Sequence, residues 1–201
     1  MATVRPLRDP IALFQQLLEQ ATALPREQVP EPTALALATI GDDGQPSVRM
    51  VLLKHADQDG FVFYTNLESR KARDLSSSRR AAMNFYWGQL ERQVRVEGRV
   101  SPVSDAEADE YFATRPRGSQ IGAWASRQSR TMDNAADLDA RVADFEKKFD
   151  GQTVPRPPFW SGFRLSPDSI EFWHGRPSRL HERQLYTRDA GGGWIVTRLY
   201  P

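Results

Sequence analysis

Cysteine is absent from the 201 residues, which removes disulfide staples, thiolate nucleophiles and cysteine-ligated zinc together. The absence fits a reducing compartment. No run of about 18 apolar residues occurs, so no segment reads as a membrane-spanning helix. The opening MATVRPLRDP also lacks the apolar stretch of a secretory leader. The expectation is a soluble, cytoplasmic protein with no membrane partner. Excess charge is missing too: 27 Lys and Arg against 26 Asp and Glu leave a formal net charge of +1. That supplies no global field for nucleic acid, and none is expected as a partner. The three histidines, His55, His174 and His181, lie far apart without metal-ligand spacing. No H-E-x-x-H, G-x-S-x-G or G-x-x-x-x-G-K-[ST] pattern is present, and no metal site is expected. Any anion-binding function must therefore come from local clusters.

What the chain does have is a clear succession of periods. Asp9 can cap a first helix, Pro10 suits its first position, and Ile11, Phe14, Leu17, Leu18 and Ala21 fall on one face. Pro25, Pro30 and Pro32 then break the chain. TALALATI, SVRMVLLKH and GFVFYTN read as strands of an antiparallel meander, the first two joined by a GDDGQP turn. ESRKARDLSSS reads as a short helix starting near Ser69, and AAMNFYW and ERQVRVEGRVSPV as strands around a GQL turn. Ser104 and Glu107 form a capping box, so SDAEADEYFATR should be helical. Asn134 to Phe149 is expected to be a helix with Leu138, Val142, Phe145 and Phe149 as its buried stripe and Gly151 just past its end. After the proline-rich VPRPP come three more strands, FRLSPDSIEFW, RLHERQLYTR and GWIVTRLYP, the last two joined by a hairpin around DAGGG.

Length implies a single domain over residues 1–201: an N-terminal segment and helix to 32, a barrel core with helices over 33–150, and C-terminal strands over 151–201. Six or more antiparallel strands with interspersed helices give the α+β class, an antiparallel β-barrel with peripheral helices. The strand–helix alternation of a Rossmann sheet is absent.

Several clusters could carry chemistry. If SRLHERQLY, residues 178–186, is a strand, Arg179, His181 and Arg183 point one way and Leu180 and Glu182 the other. Three such groups on one face repel one another unless an anion sits before them. SVRMVLLKH places Arg49, Val51 and Leu53 on one face and Met50, Leu52 and Lys54 on the other. Taken alone, an edge strand whose charges reach solvent accounts for that pattern. Arg70, Lys71 and Arg73 crowd the first turn of a helix, where cations are disfavoured by some tenths of a kcal/mol each. A bound phosphate reverses that sign, and a solvated basic turn is the alternative. In ATRPRGSQIGAWASRQSR, Arg115, Arg117 and Ser119 supply donors and Tyr111 shares a helix face with Arg115. These could hold a second phosphate, or form a solvated helix end. Trp87, Trp124, Trp160, Trp173 and Trp194 are core residues by default. Together the clusters propose two anion sites in a small barrel.

RMVLLK, FYTNLESRKA, ERQVRVEG, RPRGSQIGAWASRQS, EFWHG and RLHERQLY closely resemble the pyridoxine (pyridoxamine) 5′-phosphate oxidase family, in order and with compatible spacing from about Asp9 to Pro201. The resemblance implies a homodimeric FMN-binding split barrel with the flavin at the subunit interface. It implies that Arg49, Met50, Val51, Leu52, Leu53 and Lys54 run along the FMN and that Tyr64 and Thr65 also contact it. Arg70 and Lys71 would hold the FMN phosphate, and Gln93, Gln128, Ser129, Trp173 and Arg183 would complete the flavin site. Lys54, Tyr111, Arg115 and Ser119 would grip the substrate phosphate. Arg179, Leu180 and His181 would lie over the pyridine ring, with Arg179 and His181 near the carbon being oxidised.

The implied reaction oxidises C4′ of pyridoxine 5′-phosphate or pyridoxamine 5′-phosphate. A hydride equivalent passes to FMN and then to dioxygen, giving pyridoxal 5′-phosphate and hydrogen peroxide, with ammonia from the amine. Longer family members close an N-terminal segment with an Arg and a Tyr over the substrate. MATVRPLR contains no tyrosine, so lid contacts of that kind are not assigned, and Arg5 or Arg8 are the only residues there that could substitute as lid candidates. Two alternatives remain: a related flavin oxidase of phenazine-type secondary metabolism, which also tends to keep RLHER, and a non-catalytic flavin or pyridoxal phosphate binder. Lys54, Tyr111, Arg115 and Ser119 favour the vitamin B6 substrate, and intact Arg179 and His181 argue against a store.

Overall fold

A computed structural model describes residues 9–201; the lid candidates Arg5 and Arg8 lie outside the described residues. Asp9 caps α1 (Pro10–Thr22), its Oδ1 accepting from the Ile11 amide at 3.0 Å. The stripe of Ile11, Phe14, Leu17 and Ala21 is buried in the main core. The strands are β1 (Ala34–Ile40), β2 (Pro46–Leu52), β3 (His55–Asp57), β4 (Gly60–Asn66), β5 (Arg80–Trp87), β6 (Arg92–Pro102), β7 (Trp160–His174), β8 (Glu182–Arg188) and β9 (Trp194–Leu199). They form one antiparallel sheet in the order β2-β1-β5-β6-β7-β4-β3, with β8 beside β7 and β9 beside β8.

The sheet divides on β7. One edge of that strand carries β6 along Phe163–His174. The other carries β4 along Trp160–Leu165 and β8 along Ser169–His174. At the bulge between Glu97 and Gly98, β6 and β7 close so tightly that a Cβ on Gly98 would lie 2.1 Å from the Ser166 carbonyl oxygen. The sheet curls until β2 and β4 come close, and the fold is an α+β split barrel.

The three-strand meander expected from the early spacing does not form. β4 pairs with β7 and β3 rather than β2, and β1 takes β5 as its second neighbour. The reason is that β4 is buried on both faces. Phe61 and Phe63 enter the main core, while Val62 packs against Val103 and Ala108. SVRMVLLKH is likewise not one strand. After Leu52 the chain changes partners, the Leu53 amide bonding to Thr33 and the Lys54 amide to Val62.

The remaining helices are α2 (Arg70–Ser78), α3 (Asp105–Thr114), α4 (Arg117–Ala125) and α5 (Ala136–Lys148). Ser69 and Ser104 cap α2 and α3 as their sequences require. Glu107 does not turn back to complete the box; it bonds Arg164 at 3.0 Å instead. The expected helix from Asn134 begins at Ala136. Leu138 is off its buried stripe at 37% exposed, and the inward contacts come from Val142, Phe145 and Phe149. The strand expected over residues 178–186 starts only at Glu182. Pro177–Arg179 form a single 3-10 turn, so Arg179, Leu180 and His181 do not alternate with Arg183 on a strand face. Ser178 and Arg179 adopt left-handed φ values of 59° and 60°, which no strand accommodates.

Among the described residues no helix is long and apolar enough to cross a membrane. Phe14 is fully buried with its ring 4.9 Å from Phe61 and 4.8 Å from Phe85. Phe14→Ala should therefore lower stability by about 3–5 kcal/mol in urea denaturation. Leu138→Ala, on the exposed side of α5, should cost less than about 1 kcal/mol by the same measurement.

Candidate functional site

A cleft of about 620 Å³ opens between β2, β4, α3 and α4. Met50, Val51, Leu52 and Lys54 line one side, Tyr64, Thr65 and Asn66 come from β4, and Lys71 comes from the first turn of α2. Tyr111, Thr114 and Arg115 descend from the end of α3, and Ser119, Gly122 and Ala123 from α4, with Ser126, Gln128 and Trp160 closing the rim. Three cations therefore share this cleft, and no carboxylate is among the described lining residues. Elsewhere the protein pairs its arginines closely. Arg156 meets Asp105 and Asp109 at 2.9 and 2.6 Å, and Arg164 meets Asp57 and Glu107 at 2.9 and 3.0 Å.

At one end, Lys71 Nζ donates to Gln128 Oε1 at 2.7 Å, Thr65 Oγ1 at 3.1 Å and Ser69 Oγ at 3.3 Å. All three acceptors are neutral. Desolvation, with a smaller push from the Arg49 guanidinium, lowers the Lys71 pKa to about 8. Arg49 is not a solvated edge charge. Its guanidinium turns inward to the Leu37 carbonyl, Thr39 Oγ1 and Ser47 Oγ, with Asp74 at 3.8 Å. Arg70 sits exposed on the same first turn, outside the cleft lining. Leu53 is buried in the core.

At the other end, Tyr64, Tyr111 and Trp160 form a cluster of nearly parallel rings, Tyr64 lying 4.1 Å from Tyr111 and 5.2 Å from Trp160, with Tyr111 and Trp160 6.2 Å apart. The close fit depends on Gly162, where a Cβ would lie 2.7 Å from the Tyr64 ring. Burial, then Glu107, raises the Tyr64 pKa to about 12, so its hydroxyl stays protonated. The Arg115 guanidinium lies 4.8 Å over Trp160, and its Nη1 is buried without a hydrogen-bond partner. Burial lowers its pKa. A buried guanidinium N–H without an acceptor fits a phosphate oxygen, and the half-buried Lys71 ammonium fits a second anion.

The other expected residues form a separate group. Gln93, Trp173 and Arg183 stand opposite one another across β6, β7 and β8, in one row. Arg183 is held by Glu171, Nε to Oε1 at 2.7 Å and Nη2 to Oε2 at 3.2 Å. The His181 ring packs 4.6 Å from Trp173, while Arg179 and Leu180 are exposed. None of these six residues lines the cleft. Thr65 pairs with Ser161, and Trp173 is twelve residues further along β7, about 40 Å of extended chain. Ser129, at φ 68°, follows Gln128 on the exposed rim.

Sequence reasoning missed α4 and with it Gly122, Ala123 and Ser126. Its signal was Ile121 and Ala125 at helical spacing behind Pro116, masked by Gly118 and Gly122. It also left Trp160 in the core, where no pattern distinguishes a wall of the cleft from packing.

Lys71 generates a pH prediction. A phosphate monoester is fully dianionic above about pH 7 and stabilises the ammonium form. Free Lys71 is mostly neutral above its pKa of about 8, so binding there must take up a proton. Affinity for a phosphate monoester held by Lys71 should change little from about pH 7 to 8 and fall by up to about tenfold per unit above it. Calorimetric titrations in buffers of different ionisation enthalpy check the proton uptake, and Lys71→Arg should flatten the profile.

Comparison with known proteins identifies the family of the chain. The family described as pyridoxamine 5′-phosphate oxidase matches residues 22–149, and the pyridoxine 5′-phosphate oxidase C-terminal dimerisation region matches 160–201. A pyridoxine/pyridoxamine 5′-phosphate oxidase of Myxococcus xanthus is 56% identical over 193 residues, covering 96% of this chain and 92% of its own. One of Burkholderia lata is 54% identical over 195 residues, covering 96% and 89%. Among solved structures, PhzG from Burkholderia lata in complex with tetrahydrophenazine-1-carboxylic acid superposes with a TM-score of 0.89 at 34% identity, covering 98% of this chain and 94% of its own. A pyridoxamine 5′-phosphate oxidase-related, FMN-binding protein from Nostoc punctiforme has the same fold, with a TM-score of 0.74 at 16% identity and full coverage of both chains. A cation at each end of one cleft, the split sheet and these matches converge: the chain belongs to the pyridoxamine 5′-phosphate oxidase family.

Proposed function

We propose that this protein is an FMN-dependent oxidase that converts pyridoxine 5′-phosphate or pyridoxamine 5′-phosphate to pyridoxal 5′-phosphate, with dioxygen as acceptor and hydrogen peroxide as product. The observation that carries the proposal is a cleft with Lys71 at one end and Arg115 at the other, Lys54 also lining it and no carboxylate among its described lining residues. Two phosphate-bearing molecules lying together need two such poles. FMN is the cofactor, and when bound it supplies the two-electron redox chemistry between the C4′ carbon and dioxygen. Lys71, with Arg70 on the same turn, holds its phosphate, and Thr65, Gln128 and Ser129 surround that end. Arg49 adds a smaller repulsion to the desolvation of Lys71. Lys54, Tyr111, Arg115 and Ser119 grip the substrate phosphate, so the reacting carbon is placed by its distal anchor.

The whole chain acts as one domain, and two copies build each site. Val48 and Met50 are 68% and 64% exposed on the outer face of β2, continuous through Ala36 and Ala38 with Asn84 and Ala82. A second copy covering this apolar face would bring its own Gln93, Trp173 and Arg183 to the flavin and its Arg179 and His181 over the substrate ring. Those residues, Gln93 apart, fall within the matched dimerisation region.

The phenazine reading rests on the likeness to PhzG. Against it stand the relatives above 50% identity named for the vitamin B6 phosphates, and the intact grip of Lys54, Tyr111, Arg115 and Ser119. An anaerobic absorption spectrum of the FMN-loaded protein separates the readings. Pyridoxine 5′-phosphate should bleach the flavin bands and air restore them; bands that bleach only with tetrahydrophenazine-1-carboxylic acid would sink the B6 assignment. Arg179→Ala or His181→Ala should lower turnover per bound flavin by about 100-fold with FMN content unchanged. Loss of FMN with unaltered turnover of the remainder would contradict their placement over the substrate.

A further inference from the structure

We infer that Arg176 and Glu182 form a positioning clamp. It closes the loop between them and holds His181 as the neutral tautomer with its proton on Nε2. The inference rests on the reading above that His181 faces the substrate. Ser178 and Arg179 are consecutive non-glycine residues in the left-handed region. Such strain persists only where the surroundings over-determine it.

The surroundings here are specific. Arg176 places both Nε and Nη2 on Glu182 Oε1, at 3.0 and 2.6 Å, across the mouth of the loop. Glu182 is the first residue of β8, opposite His174 of β7, whose Nδ1 lies 3.7 Å from the second Glu182 oxygen. The Gly175 amide bonds to the Glu91 carbonyl at 2.9 Å, and the Leu180 amide to Pro177 at 3.2 Å. The loop is thus tied at its mouth to β7 and β8 and internally across its turn.

The clamp's consequence falls on His181. The Arg176 amide donates to His181 Nδ1 at 3.2 Å. A ring nitrogen that accepts a hydrogen bond carries no proton, so in the neutral ring the proton resides on Nε2. Trp173 packs against the ring and fixes its plane. Nε2–H then has no partner among the described residues and is the group left for the substrate. Held this way, His181 donates a hydrogen bond to an electronegative atom of the substrate. It cannot act as a base at Nε2 without breaking the Arg176 contact. Arg176 and Glu182 act through His181 and Arg179, not on the substrate.

The test is made on the FMN-loaded protein with ¹⁵N-labelled histidine. Long-range nitrogen–proton correlation spectra read the tautomers, and His55→Gln and His174→Gln assign the other two rings. His181 should show an unprotonated Nδ1 and a protonated Nε2. Arg176→Ala and Glu182→Ala, both at exposed positions, should give mixed tautomers. Both should lower kcat on pyridoxine 5′-phosphate about tenfold, with KM and FMN content changed less than about threefold. Arg176→Lys, which keeps a cation opposite Glu182, should recover most of kcat. A proton on Nδ1 in the unmodified protein would overturn the inference, as would variants that leave both tautomer and kcat unchanged. If the unmodified protein oxidises neither B6 phosphate, the functional reading fails while the tautomer still reports on the clamp.

Discussion

Lys54, Lys71 and Arg115 share one cleft without a carboxylate among its described lining residues, and much of the structure serves to keep them there. An ammonium half-withdrawn from water, with only neutral oxygens around it, is destabilised relative to a solvated lysine. The lowered pKa of Lys71 reports that cost. The same chain places carboxylates beside Arg156, Arg164 and Arg183. The imbalance is therefore local, and bound phosphates would relieve it. The two-anion cleft proposed above and the lowered pKa of Lys71 would then have one physical origin.

β7 connects this cleft to the second group of residues. Its first half is the neighbour of β4 and contributes Trp160 and Gly162 to the aromatic wall; its second half carries Trp173 and Glu171 beside β8. A single strand thus supports both groups, with about 40 Å of extended chain between Ser161 and Trp173. The matched dimerisation region and the exposed apolar face of β2 give the same geometry a purpose, since a second copy can bridge the separation.

Much of this was legible in the sequence. Capping residues announced α1, α2 and α3, and alternation announced β1, β5 and β6. Arg70, Lys71 and Arg73 stood out because cations at a helix N-terminus contradict local electrostatics unless an anion is present, whereas Tyr111, Arg115 and Ser119, at a helix C-terminus where a cation is favoured, were distinguished from a solvated helix end only by the family resemblance. Long-range pairing was not legible: adjacent strands suggested a meander, whereas two-sided burial of Phe61, Val62 and Phe63 sends β4 to β7. Nor was the turn in RLHER, whose alternating charges mimic a strand face. What defines it are left-handed residues and an Arg176–Glu182 contact, and neither follows from periodicity. Arg49 misled in the opposite direction, since its inward bonds go to Leu37 and Thr39 on the neighbouring strand, with Asp74 of α2 nearby at 3.8 Å.

The composite site is tested most directly with mixed dimers. One chain would carry Lys71→Ala with Arg115→Ala, its partner His181→Ala, and the heterodimer would be isolated through two different affinity tags. If the cleft of one copy works with the His181 of the other, one site in each mixed dimer is restored. Turnover should then recover to about half that of the unmodified dimer. Mixed dimers as inactive as the parent variants would contradict a site built from two copies.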